Sequence, residues 1–192
     1  MCGIVGIFGD AHGRDLMRVA EDMVASLVHR GPDDDGIWGD DEAEVALGHR
    51  RLSVLDLSQE GHQPMLSKDG RYVMVFNGEV YNHSLLRAEL EGEGEVNWRG
   101  HSDTEVMLEA IARWGIKSAL SKFIGMFAIA LFDRRERKLN LIRDRVGEKP
   151  LYYGWSAGAF IFGSELKALR KYPGFAGDID RDVLSLYLRH MS

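Results

Sequence analysis

The sequence predicts an α+β protein, a layered sandwich in which antiparallel β-sheets are covered on their outer faces by helices. Two observations carry that prediction. Most candidate strands are short and follow one another at hairpin spacing, without the intervening helices a parallel sheet needs. Amphipathic segments of helical period stand before, between and after the strand groups, where they are placed to cover the sheets. With 192 residues, 45% hydrophobic and 28% charged, the chain has the length and composition of one domain with a substantial core.

Taken in order, residues 3–8 form a short apolar run that reads as a buried strand. Leu16, Val19, Ala20, Met23, Val24, Leu27 and Val28 recur at helical spacing, predicting an amphipathic helix over residues 15–29. HRGPDDDG, residues 29–36, reads as a loop. Strands are expected near 36–39 and 44–51, followed by a long loop through QEGHQP and a strand at RYVMVF, residues 71–76. On local grounds the Asn77-Gly78 pair that follows is a hairpin turn, because Asn-Gly after an alternating strand is the usual type I′ signal. Residues 83–91 look helical. A further helix begins at Ser102: Ser102 and Glu105 have capping-box spacing, and Met107, Ala110, Ile111 and Trp114 share one face. Strands resume at 125–133, 138–143, 151–155 and 159–163, and helical segments close the chain at 164–171 and 181–190.

Charge and composition narrow the function. With 24 basic and 30 acidic residues the net charge is −6, which argues against a nucleic-acid partner. The acidic runs at 33–35, 40–44 and 89–95 read as solvated faces. No apolar run approaches the ~20 residues of a membrane span, and MCGIVGIFGD lacks the basic start and long apolar stretch of a secretion signal. The single cysteine makes no internal disulfide, which fits a cytoplasmic protein. Seven histidines show no metal-ligand spacing, so no metal site is expected, and no phosphate-binding G-x-x-x-x-G-K-[ST] loop is present.

The position of that cysteine gives it chemistry. Once Met1 is removed, Cys2 becomes the N-terminal residue and carries an α-amine of reference pKa ~7.7–8.0 beside a thiol of ~8.5. Near neutral pH the amine can accept the thiol proton during attack and return it to a leaving group, so one residue supplies nucleophile and base. From position alone, a small buried hydrophobe is the plainer reading.

Other segments overturn it together. MCGIVGIFG, HRGPDDDG (29–36), HRRLSVLDLS (49–58), QPM (63–65), FNGEVYNH (76–83), SDTEV (102–106), GMFAIALFD (125–133), RDRVGEKPLYYG (143–154) and SELKAL (164–169) occur in order across nearly the whole chain. In order and spacing this resembles the glutaminase domain of class II glutamine amidotransferases, in the branch of the glutamine-hydrolysing asparagine synthetases. Glu148 departs from the family pattern, which more often has an apolar residue there.

The resemblance implies the four-layer αββα sandwich of N-terminal-nucleophile hydrolases. It makes Cys2 the nucleophile that attacks the side-chain amide of glutamine, with Asn77 and Gly78 as the oxyanion hole; an Asn amide and a backbone N–H suit that task. Arg51 would hold the substrate α-carboxylate and Asp103 its α-amine. Glu79 lies near the substrate, and backbone groups of Leu52, Ser53, Val54 and Leu55 line the pocket. Alone, Arg51 beside Arg50 reads as a surface charge at a strand end, and Asp103 as a first-turn carboxylate favoured by the helix dipole. HRGPD and RDRVGEKPLYY read as structural, a loop over the site and a strand entry that packs the second sheet.

Residues 1–178 are therefore expected to be the glutaminase domain, with 179–192 starting a connection to a C-terminal synthetase domain of the same chain. The glutaminase would need no cofactor; ATP and magnesium belong to the synthetase. These residues alone should hydrolyse glutamine without making asparagine. Other readings remain: a different ammonia acceptor, a non-catalytic interaction domain, or a general N-terminal-nucleophile acylase. The paired Arg51 and Asp103, suited to a free amino acid, argue against the acylase. A homodimer is compatible with the sequence, which leaves oligomeric state open.

Overall fold

A strand that begins at residue 3 organises the molecule. The computed structural model describes residues 1–9, 13–53, 59–177 and 180–190, and places Gly3–Phe8 (β1) at the centre of a five-stranded sheet. Leu16–Ala25 (α1) follows, capped by Asp15, whose carboxylate accepts a hydrogen bond from Arg18 N at 3.0 Å. Its stripe of Leu16, Val19, Ala20, Met23 and Val24 is buried as the periodicity predicts. The helix is shorter than expected. Leu27 N and Arg30 N bond to carbonyls three residues back, which tightens the chain into turns. Leu27 stays buried, whereas Val28 is 46% exposed.

Asp34–Asp40 (β2) and Val45–Arg51 (β3) form an antiparallel hairpin, and β3 continues onto β1 with Gly3 opposite Arg50. Met65–Leu66 (β4), which no sequence signal marks, pairs with Tyr72–Val80 (β5). β5 corrects the reading of Asn77-Gly78. The pair is not a hairpin turn: β5 runs through it to Val80, with Asn77 opposite Ala128 and Gly78 opposite Phe127 on Gly125–Asp133 (β6). A nine-residue apolar strand from far along the chain overrides the local turn preference. Gly78 is needed for another reason, since a Cβ there would lie 2.1 Å from Met126 O on the neighbouring strand.

His83–Gly92 (α2), Asp103–Trp114 (α3) and Ile116–Lys122 (α4) pack on the outer face of this second sheet, which Lys138–Arg143 (β7) completes in the order β4-β5-β6-β7. Ser102 caps α3 through Glu105 N at 3.3 Å. The reciprocal arm of the box is displaced: the Glu105 carboxylate accepts from Arg99 N and Gly100 N, at 2.8 and 3.0 Å, and so pins the loop ahead of the helix.

Tyr152–Ser156 (β8) and Ala159–Gly163 (β9) form a hairpin that returns to the first sheet, giving the order β2-β3-β1-β9-β8. Leu166–Leu169 (α5) then packs beside α1. Ile4, Leu47, Val73, Val75, Phe132 and Phe162 form the core between the sheets, and two further cores lie beneath the helices on either side. The molecule is thus the αββα sandwich of antiparallel sheets that the sequence predicts. Arg181–His190 (α6) buries none of its residues.

Candidate active site

The site begins where β1 does. Cys2 precedes the strand directly, and its carbonyl accepts a hydrogen bond from Arg30 Nε at 2.9 Å. Arg30 is held in turn by Glu165 at 3.1 Å, and Glu165 also meets His29 at 2.8 Å and Lys167 at 3.2 Å. Partial burial of Glu165 would raise its pKa, but hydrogen bonds from His29, Arg30 and Lys167 outweigh it and hold the carboxyl at about 2. The HRGPD segment therefore anchors the backbone of Cys2 from behind. Leu52 N donates to Cys2 Sγ at 3.4 Å, and the thiol lies 3.7 Å from Leu52 O. Cys2 is free of any disulfide and partly exposed.

Leu52 follows the end of β3, and the same strand end supplies Arg51. Both Arg50 and Arg51 are buried, so neither is the surface charge that strand-end position suggests. Arg50 is fastened by Gly31 O at 2.8 Å and Asp35 at 2.7 Å. Arg51 packs its guanidinium over Gly61, where a Cβ would lie 2.2 Å from Nη2. The acidic run at 33–35 is more than solvated surface. Asp33 accepts Ser53 N at 2.8 Å, Asp34 meets His62 at 2.8 Å, and Asp35 holds Arg50.

Across from Cys2 stands β5. Asn77 is 1% exposed, and among the described residues its Nδ2 has no hydrogen-bond partner. A buried amide donor left open is uncommon, because each such group costs about 1–3 kcal/mol unless something satisfies it. Its neighbour Phe76 is held on both sides: Phe76 N donates to Gln63 Oε1 at 2.7 Å, and Phe76 O accepts from His49 Nε2 at 3.0 Å. Burial pushes the His49 pKa down to about 4, so its ring is neutral at physiological pH and donates through Nε2.

The third wall is the first turn of α3. Asp103 is 5% exposed, and its Oδ2 accepts Val80 N at 3.0 Å. Burial raises its pKa above the ordinary aspartate value, against the lowering effect of the Val80 and Thr104 amides and of His83. Burial thus dominates where the sequence suggests a dipole-stabilised carboxylate. A buried carboxylate in this state gains most from a cationic ligand.

These walls enclose one pocket of about 200 Å³. It gathers Cys2, Arg51, Leu52, Asn77, Gly78, Glu79 and Asp103 from separate parts of the chain. Ser53 is not among its lining residues and turns its amide to Asp33 instead. Val54 and Leu55 lie outside the described residues. Met1 also lines the pocket, with Sδ 3.8 Å from Lys149 Nζ.

Three residues near the site escape sequence reasoning. Gln63 and Lys149 are buried pocket residues, and Arg30 secures Cys2. Their motifs were visible, but nothing local ties QPM or GEKP to a cysteine more than sixty residues away. Among the described residues no group of three or more His, Cys, Asp or Glu is arranged to hold a metal ion. No helix among them is long and apolar enough to cross a membrane.

Comparison with known proteins places this arrangement. Asparagine synthetase [glutamine-hydrolyzing] 3 of Bacillus subtilis is 37% identical over 96% of this chain, which covers 30% of that protein. Putative asparagine synthetase [glutamine-hydrolyzing] 2 of Methanocaldococcus jannaschii is 35% identical over 97% of this chain and 39% of its own length. The chain therefore spans roughly a third of the curated relatives it matches. Among solved structures, a glutamine phosphoribosylpyrophosphate amidotransferase from B. subtilis superposes with a TM-score of 0.74. At 24% identity, over 88% of this chain and 43% of that one, it shares the fold. The family model for the glutamine amidotransferase domain matches residues 1–192, and the chain belongs to that family.

Proposed function

We propose that this chain hydrolyses glutamine to glutamate and ammonia through a thioester on Cys2. The observation that carries the reading is the open Nδ2 of Asn77, buried in the pocket that holds Cys2. A donor with no protein partner beside a nucleophile is what a developing oxyanion requires.

Removal of Met1 exposes the Cys2 α-amine. That amine takes the Sγ proton as sulfur attacks the side-chain amide carbon, and Asn77 Nδ2 with the Gly78 N–H holds the oxyanion. On collapse the C–N bond breaks, the protonated amine gives its proton to the leaving nitrogen, and ammonia departs. Water, deprotonated by the same amine, adds to the thioester; the C–S bond then breaks and glutamate is released. Arg51 pairs with the substrate α-carboxylate in a bidentate fork, and Asp103 with the α-ammonium. Glu79 and the Leu52 backbone complete the pocket. The ammonia serves an ATP- and magnesium-dependent synthetase domain of a longer chain, reached through the segment from residue 179 onward, which converts aspartate to asparagine.

Protein verified to begin at Cys2 is expected to release glutamate from glutamine, and Cys2→Ala to release none. Equal release by both would refute the assignment.

A further inference from the structure

We propose that Gln63 is a positioning residue that fixes the distance between the two ends of the substrate pocket and so selects a side chain of glutamine length. The inference rests on the glutamine reading above. That reading assigns the substrate's amide end to Asn77 on β5 and its α-amine end to Asp103 on α3. These are different elements, so their separation is only as well defined as the ties between them.

Among the described residues, two ties join the stretch 76–80 to the first turn of α3. One is direct, from Val80 N to Asp103 Oδ2 at 3.0 Å. The other runs through Gln63, whose Oε1 accepts Phe76 N at 2.7 Å while its Nε2 donates to Thr104 Oγ1 at 3.2 Å. Phe76 adjoins Asn77, and Thr104 adjoins Asp103. Each end of the pocket is therefore one residue from an arm of the same side-chain amide.

The sheet register explains why a side chain does this work. Met65 lies opposite Met74 and Leu66 opposite Val73, so continuing the ladder places Gln63 opposite Phe76, beyond the last paired residue. Its side-chain carbonyl takes the amide that a longer β4 would have taken with its backbone. The remaining arm is thereby free to reach α3. Gln63 and Thr104 are 5% and 3% exposed, so water does not readily replace either bond. His49 secures the Phe76 carbonyl, which fixes the strand from the other side.

The test measures length selectivity in protein beginning at Cys2. Alkylation of Cys2 by diazo-oxo-norleucine, of glutamine length, is compared with alkylation by diazo-oxo-norvaline, one methylene shorter. The ratio of the two second-order rates is taken for the parent, Thr104→Val, Thr104→Ser and Gln63→Met, beside each melting temperature. Thr104→Val removes only the arm to α3 and carries the test if Gln63→Met does not fold. Thr104→Val and Gln63→Met are expected to lower the ratio by at least about tenfold, since misplacement on the ångström scale costs rate steeply. Thr104→Ser, which retains the hydroxyl, should keep the parent ratio. An unchanged or higher ratio in Thr104→Val, whatever happens to absolute rates or stability, overturns the proposal and leaves Gln63 a packing residue. A parent that hydrolyses no glutamine and is not alkylated by the norleucine reagent defeats the glutamine reading itself, which is a separate result.

Discussion

Asn77 and Asp103 are both buried polar residues whose local environments leave something unsatisfied. Asn77 Nδ2 has no partner among the described residues, so removing it should cost the fold little and the reaction much. Asn77→Ala is expected to lower kcat by about 10²–10³ while the melting temperature stays close to the parent's. Asp103 carries a pKa raised by burial. A carboxyl whose folded pKa exceeds its unfolded value contributes stability below the unfolded pKa, and that contribution is lost as pH rises through the folded one. At neutral pH the ionised group therefore burdens the free protein and would be relieved by the α-ammonium ligand proposed for it. Asp103→Asn should melt no lower than the parent at pH 7 while its KM for glutamine rises steeply. In the parent, KM should increase on acidification from a pH above the ordinary aspartate range; thermal melts and pH-dependent kinetics check both. The residue types of these two positions were legible in the sequence. Their burial was not, because it depends on which distant elements close over them.

At the scale of elements, strands with continuous apolar runs and helices with clean stripes were legible, among them β1, β6, α1 and α3. What failed was local chemistry overridden from afar. Asn77-Gly78 carries a turn signature but lies within β5, because β6 offers a full-length partner. Gly78→Ala would set a Cβ 2.1 Å from Met126 O, so this variant is expected to lose the β5–β6 ladder at this point. The measurement is a large fall in melting temperature relative to Gly154→Ala, where a Cβ meets nothing within 4 Å. The loop after β7 was readable only as a structural entry to the next strand, yet it is organised by one carboxylate. Asp144 accepts the amides of Phe127, Val146, Gly147, Glu148 and Lys149. Burial would raise its pKa, but the backbone amides outweigh it and bring it from 3.8 to about 2. A depressed carboxyl contributes stability above its unfolded pKa and loses it as pH falls toward the folded one. Asp144→Asn should thus be destabilised at pH 7, with the gap to the parent narrowing between pH 3.8 and about 2. Denaturation across that range tests the sign.

For the whole molecule, the sandwich brings Cys2, just ahead of β1, together with residues of β3, β5 and α3 at one pocket, and it does so by placing β1 at the centre of a sheet. Cys2, the proposed nucleophile, thereby directly precedes a central strand, with Arg30 and Ser164 fastening residues 2 and 4. Met1 stands in the same pocket, so on the proposed mechanism its removal is the step that would free the Cys2 amine for catalysis. The most direct test of this account is mass spectrometry of protein acid-quenched during glutamine turnover. It predicts a glutamyl adduct confined to the peptide that begins at Cys2, absent from Cys2→Ala and from protein that retains Met1. Steady glutamate release at the parent's rate from the Met1-retaining form, or turnover with no adduct on Cys2, would contradict it.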